Sequence, residues 1–295
     1  MFKTSISRKP LIRLAALAAL GLALTVFWSF NPAFAAPTAT IITVTTTTGQ
    51  TGTNSQCALH EALVNANNDA QTWADCPAGS GNDTIVFADS LGTATVTYFE
   101  GGPGVSDADG LTIDGGGDIT ISGANSYQVF IVSSGALLTV ENLTIANGYC
   151  TVPSCSGGGG IQNAGTVTVL DTTFSGNTAY DTNGAAIYNT GTLTVENSTF
   201  SGNQITSGPY GGGAIFSGGS LSVTNSTFSG NTAASGGGIT NSGTLTVTNS
   251  TFSDNVAFGT IENYGTATLF NTIVASASLA CVSAPPQCGC LQHGQ

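Results

Sequence analysis

The stretch GAAIYNTGTLTVENSTFSGN at residues 184–203 decides the architecture, because the chain writes it several times. GGGIQNAGTVTVLDTTFSGN precedes it at 158–177, and GGAIFSGGSLSVTNSTFSGN and GGGITNSGTLTVTNSTFSDN follow at 212–231 and 236–255. A decayed copy, GTIENYGTATLFNTIVA, occupies 259–275. The equivalent isoleucines are Ile161, Ile187, Ile215, Ile239 and Ile261, so the period is 26, 28, 24 and 22 residues. The variation falls after the Asn that ends each copy. Periods of this length mark a solenoid. A leucine-rich repeat shares the length, but its helix-forming half is absent here, and short strand runs alternate with Gly and Asn.

Within one copy, Thr192, Leu193, Thr194 and Val195 alternate polar and apolar, as do Ser198, Thr199 and Phe200, so two short strands each turn one face inward. Ile187 marks a third. Three short strands per turn describe a right-handed parallel β-helix, an all-β fold in which Ile, Leu, Val and Phe stack from coil to coil. Four such side chains per coil, at about 1.5–3 kcal/mol each when fully buried, form a core that only neighbouring coils complete. Outward Thr166/Thr168, Thr192/Thr194, Thr244/Thr246 and Thr266/Thr268, with Ser220/Ser222, set hydroxyl pairs ~7 Å apart along the strand and repeated every ~4.8 Å along the axis.

Two sets of bend residues keep the same register. Asn142, Asn197, Asn225, Asn249 and Asn271, with Asp171, form one; Asn163, Asn189, Asn241 and Asn263, with Ser217, form the other. Bends accept Asn because its amide bonds nearby backbone and its φ can be positive. Asn142, Asn197, Asn225 and Asn249 also match the glycosylation acceptor pattern, but the coil period accounts for them as a structural ladder.

Outside the repeat, composition narrows the function classes. Lys3, Arg8, Lys9 and Arg13 are the only basic residues, and everything after them carries 16 carboxylates with no Lys or Arg. The basic start, the apolar run Leu14–Trp28, Pro32 and the triplet Ala33, Phe34, Ala35 read as a secretory signal over 1–35. That run is short of the ~20 residues that span a bilayer, which disfavours an anchor helix. Export makes disulfides the default fate of the seven cysteines. Close spacing suggests Cys57 with Cys76 and Cys150 with Cys155; a third pair would come from Cys281, Cys288 and Cys290, with the choice open. Zinc is disfavoured because no cysteine cluster has His at ligand spacing, the histidines being His60 and His293.

Worn coils precede the clear repeat at Thr84–Ala88, Ala94–Tyr98, Leu111–Ile113, Ile119–Ile121 and Val129–Val140 followed by Glu141–Asn147, so the solenoid is expected over 84–274. It follows an N-terminal segment over 36–83 and precedes a Cys-containing tail over 275–295. In that segment Cys57–Asn67 puts Leu59, Leu63 and Ala66 on one helical face, suiting a cap over the open end of the first coil. His60 falls on the opposite, solvated face.

These residues carry a resemblance. Cys57, Ala58, Leu59, His60, Glu61 and Ala62, followed by Asn65, Ala66, Asn67 and then Asp83, Thr84, Ile85 and Phe87, resemble the signature of the CSLREA-domain proteins. Those are exported bacterial right-handed β-helix proteins, similar in repeat style to polymorphic outer-membrane proteins. The resemblance covers roughly residues 41–275, with His60 where the signature has Arg. It implies export and a β-helix, and it brings no catalytic residues.

Function is weighed on chemistry. Parallel β-helices often host polysaccharide lyases, but lyases of that fold need Arg or Lys near the abstracted proton, and the body of this chain has none. Its negative charge would also repel a polyanionic substrate. Hydrolysis by paired carboxylates survives that test as the alternative. Nucleic-acid binding is excluded for want of phosphate-neutralising residues. Asp107, Asp109 and Asp114, within SDADGLTIDGGGD that also holds Asp118, resemble part of a Ca²⁺ loop, but the later EF-hand ligands are missing. A solvated turn explains them more simply, so no metal or cofactor is expected. The expectation is a secreted or cell-surface, monomeric, non-catalytic repeat protein with an adhesion, structural or glycan-contact role, its partner a surface glycan or protein. Ice binding, suggested by the outward Thr ladder, is the minor alternative.

Overall fold

The structure, a computed structural model, describes residues 39–49, 51–97, 104–275 and 279–283, with side chains described through 275. The signal segment over 1–35, the Tyr98 end of one worn coil, Cys288, Cys290 and His293 lie outside these residues. The described chain is a parallel β-solenoid, and every strand pairing in it is parallel.

One coil shows how the sequence makes the turn. Ile187–Asn189, Thr192–Glu196 and Thr199–Ser201 are three short strands, and each lies beside its equivalent in the next coil: Ile187 on Ile215, Leu193 on Leu221, Phe200 on Phe228. Asn197 sits at the corner between the second and third strands with φ of 51°. Asn142, Asp171, Asn225, Asn249 and Asn271 take the same left-handed conformation, which Asn and Asp reach more easily than other non-glycine residues. The middle coils add a fourth short strand that the sequence reading lacked, at Tyr149–Thr151, Thr178–Tyr180 and Gln204–Ile205.

The core consists of columns. Val167, Leu193, Leu221 and Leu245 form one, Val169, Val195, Val223 and Val247 another, and all are buried. Phe174, Phe200, Phe228 and Phe252 stack with ring centroids 4.8, 4.7 and 4.5 Å apart. Each such pair adds about 0.5–1.5 kcal/mol beyond its area burial.

Polar ladders close the corners. Asn163 donates from Nδ2 to Asn189 Oδ1 at 2.8 Å, Asn189 to Ser217 Oγ at 3.0 Å, and Asn241 to Asn263 Oδ1 at 2.7 Å. A further ladder runs through Asn177, Asn203, Asn231 and Asn255, the residues that end each copy, with Nδ2 to Oδ1 distances of 2.9 Å throughout. All four are buried.

Both ends of the solenoid extend beyond the expected 84–274. Ile41–Val44 pairs with Asp83–Phe87, with Ile42 on Ile85 and Val44 on Phe87, so stacking begins at residue 41. The sequence hid this strand because the cap helix interrupts the coil after it. At the far end, Leu279–Ser283 pairs with Gly259–Asn263. The cap helix is Leu59–Asn67, shorter by two residues than expected, and buries Leu59, Ala62, Leu63 and Ala66. Glu61 is also buried, because its carboxylate accepts the N–H of Gly52 and of Ala58, joining a preceding loop to the helix start. His60 is half-buried, not fully solvated.

Candidate functional site

The hydroxyl ladders are wider than the sequence reading made them. On the first outward face, Thr84, Thr112, Thr139, Thr168, Thr194, Ser222, Thr246 and Thr268 stand in one register row. Thr166, Thr192, Ser220, Thr244 and Thr266 form the row beside it. A second ladder, on the next face, was missed: Thr95, Thr120, Thr144, Thr173, Thr199, Thr227 and Thr251 align, flanked by Ser175, Ser201, Ser229 and Ser253. The signal was the Thr-Phe-Ser triplet in each clear copy.

The segments of variable length gather on the remaining flank. Residues 149–158, 178–184, 204–212, 232–236 and 256–258 connect the third strand of each coil to the strands that begin at Ile161, Ile187, Ile215, Ile239 and Gly259. Cys150 and Cys155 are bonded there, and Cys57 and Cys76 are bonded at the cap, as their spacing suggested. Tyr188 and Phe216 point outward from adjacent coils and stack at 5.3 Å. Tyr180 is 46% exposed, and Tyr210 packs on the small cluster of Ala179, Ala185, Ile205 and Ala233. Gly157, at φ of 143°, lies against the Tyr188 ring, where an added Cβ would come within 2.7 Å of Cδ2. Thr182 donates to the Ser156 carbonyl at 2.7 Å, and Gln128 to those of Gly157 and Gly158 at 2.7 and 2.6 Å. These bonds fix the loops from one coil to the next.

Farther along the same face, Glu262 and Thr240 also point outward, yet both are buried. Thr240 donates to the Ser235 carbonyl at 3.2 Å, and Tyr264 donates its hydroxyl to Glu262 Oε1. That hydrogen bond, then burial, holds the Tyr264 hydroxyl above its ordinary value. Glu262 Oε2 and the neighbouring Thr260 hydroxyl are enclosed with no hydrogen-bond partner.

The acidic stretch does not stay together. Asp107 is buried, which corrects the solvated-turn reading, while Asp109 and Asp118 are exposed. Asp114 faces other groups: its Oδ1 accepts from Asn142 Nδ2 at 3.1 Å, and its charge acts on Glu141. Glu141 lies above the usual carboxylate range through burial first, then repulsion from Asp114 and Asp171. The division follows from the strand Leu111–Ser122, which carries Asp114 away from the turn that holds Asp107. Among the described residues, no group of three or more His, Cys, Asp or Glu side chains is placed to hold a metal ion. A small open cavity of about 240 Å³ is lined by Asp89, Asp118, Gly92, Gly115 and Gly116, with Thr93 donating to Asp118 at 3.2 Å.

No helix of the described residues is long and apolar enough to cross a membrane. No curated protein and no solved structure matches the chain. The family model for the right-handed β-helix region matches residues 104–274, more than half of the chain and all of the clear repeat. With parallel pairing at every coil and an interior of stacked columns, the chain belongs to the right-handed β-helix family.

Proposed function

We propose that this is an exported, non-catalytic repeat protein, at the cell surface or free outside it, that holds a glycan or protein partner along its variable-loop flank. The observation that carries this reading is a coincidence of two features on one flank. The segments whose length changes from coil to coil lie there, and so do Tyr180, Tyr188, Tyr210 and Phe216. In repeat proteins, length changes map to one face, often the binding face. Aromatic rings with polar neighbours suit the apolar faces and hydroxyls of sugars. The two disulfides fit an oxidising compartment, and the Cys57–Ala62 signature fits the exported CSLREA-domain proteins. Affinity electrophoresis in gels containing neutral or acidic polysaccharides tests the reading. Retardation should weaken in Tyr180→Ser, whose exposed ring supports no core. An unretarded protein, or retardation indifferent to Tyr180→Ser and Tyr188→Ser, sinks glycan contact through this flank.

Two further readings each rest on one feature. The cavity between Asp89 and Asp118 favours carboxylate hydrolysis of a carbohydrate; release of reducing ends, abolished by Asp118→Asn, would replace the non-catalytic reading. Lyase action remains disfavoured by the missing base, and unsaturated product from polygalacturonate would overturn that view. The uncharged double ladder of Thr and Ser favours contact with ice. Recrystallisation inhibition, lost in Thr194→Lys with Thr246→Lys or in Thr199→Lys, would establish it; an inert protein leaves the ladders as strand-favouring residues on a solvated sheet.

A further inference from the structure

A buried carboxylate with one oxygen enclosed and unpartnered lies where the cap helix meets the first coils. Asp107 is 5% exposed. Its Oδ1 accepts the N–H groups of Asp109 and Gly110 at 2.8 and 3.2 Å, and its Oδ2 is enclosed without a hydrogen bond. The turn around it is tied to the helix end: Asn67 Oδ1 accepts from the backbone of Ser106 and Asp107 at 2.9 and 3.2 Å, and Asn67 Nδ2 donates to Gly104 at 2.8 Å.

Two more carboxylates border the same corner. Asp83 is fully buried, and both its oxygens are engaged by the backbone of Thr40 and Ser80. Asp69 accepts the Gly81 N–H through Oδ1 at 2.6 Å and is itself exposed, opening the corner to solvent. Burial first, and then the charges of Asp107 and Asp69 on Asp83 and of Asp69 and Asp109 on Asp107, hold Asp83 and Asp107 above the usual carboxylate range despite their backbone hydrogen bonds. Such a group is ordinarily neutralised by a basic side chain. This chain has no Lys or Arg after Arg13.

We infer that this corner binds a hard divalent cation of calcium's size, with Asp107 Oδ2 as its buried ligand and Asp69 as the solvent-side carboxylate. The donors are all oxygen, which selects Ca²⁺ or Mg²⁺ over thiophilic metals. Two carboxylates leave carbonyl and water oxygens to complete the shell. Ca²⁺ tolerates that irregular shell, whereas Mg²⁺ demands near-octahedral geometry. Asp83 contributes field rather than a ligand, because its oxygens are already committed. The affinity expected of so sparse a site is that of extracellular Ca²⁺ modules, with Kd of about 10⁻⁴–10⁻³ M.

The test is calorimetric titration of the chelator-treated protein with CaCl₂, and thermal unfolding in 10 mM CaCl₂ against EDTA at neutral pH. One Ca²⁺ should bind per chain, and Tm should rise by about 5 °C. Asp107→Asn keeps the acceptor for Asp109 and Gly110, so it preserves the turn while lowering affinity at least tenfold. Asp69→Asn, at an exposed position, should weaken binding without risk to folding, and Asp114→Asn should leave it unchanged. Absence of binding at 10 mM, or wild-type binding by Asp107→Asn and Asp69→Asn, overturns the site. A wild type indifferent to CaCl₂ whose Asp107→Asn variant melts higher in EDTA would show that a proton occupies the corner instead. Equal affinity for MgCl₂ would overturn the assignment to calcium.

Discussion

Asn203→Ala is the most informative single change in the solenoid. The Asn203 side chain is fully buried and makes contacts along the axis in both directions. Its Oδ1 accepts the Asn177 backbone N–H at 3.0 Å and Asn177 Nδ2 at 2.9 Å, while its own Nδ2 donates to the Phe174 carbonyl at 3.0 Å and to Asn231 Oδ1 at 2.9 Å. Truncation leaves the Asn177 N–H and one Asn177 amide hydrogen without acceptors. Asn177 keeps its other bond, to the Ile145 carbonyl at 3.0 Å, and Asn231 Oδ1 keeps the Asn203 N–H at 3.0 Å. Two orphaned buried donors at about 1–3 kcal/mol each give a loss of about 2–6 kcal/mol. Asn225→Ala supplies the contrast. It sits at a corner with φ of 51°, donates only an exposed 3.4 Å bond, and should cost about 1–2 kcal/mol through backbone strain. Urea unfolding followed by circular dichroism gives the two losses. Hydrogen exchange should place the Asn203→Ala damage in coils 174–205 and spare the cap helix, because a solenoid's stability is a sum over neighbouring repeats. A loss under 1 kcal/mol, or one no greater than that of Asn225→Ala, would refute the assignment of stability to this ladder.

Other consequences follow from the same geometry. Phe228→Ala removes the ring between Phe200 and Phe252 and should cost about 3–5 kcal/mol, with Phe228→Leu recovering most of it in the same urea assay; equal loss in both variants would argue against simple cavity formation. Glu141 has a folded pKa above its unfolded one, so the folded state binds the proton more tightly. Its penalty is therefore present above the raised value and is relieved as pH falls through it toward 4.5. Glu141→Gln should raise the urea midpoint at pH 7, by under 1 kcal/mol in stability at a partly exposed site, and change little at pH 4; a pH-independent effect would contradict the cause given. Replacing both Cys57 and Cys76 by Ser opens a loop of sequence separation 19, worth about 3 kcal/mol by loop-closure entropy. Exchange protection of the cap helix should fall first, and unchanged protection would refute its dependence on the bridge.

The sequence alone determined the parallel solenoid, its inward columns of Leu, Val, Ile and Phe, the positive-φ Asn corner, and the two local cysteine pairs. Each of these is a property of one coil or of its exact recurrence, so counting residues reaches it. Strand Ile41–Val44 escaped because the first coil is broken by the cap helix and has no copy to be compared with. The Asn177–Asn255 ladder and the Thr-Phe-Ser face were written in every clear copy. Their meaning depends on direction, since a period shows that residues stack but not whether a polar one faces the interior. The grouping of Asp107 with Asp69 and Asp83, and its separation from Asp114, belong to the tertiary structure entirely. Neighbours in a solenoid are set by the offset between coils and by the chain's return past the cap, and a close string of aspartates in sequence is divided when a strand carries one of them to the next face.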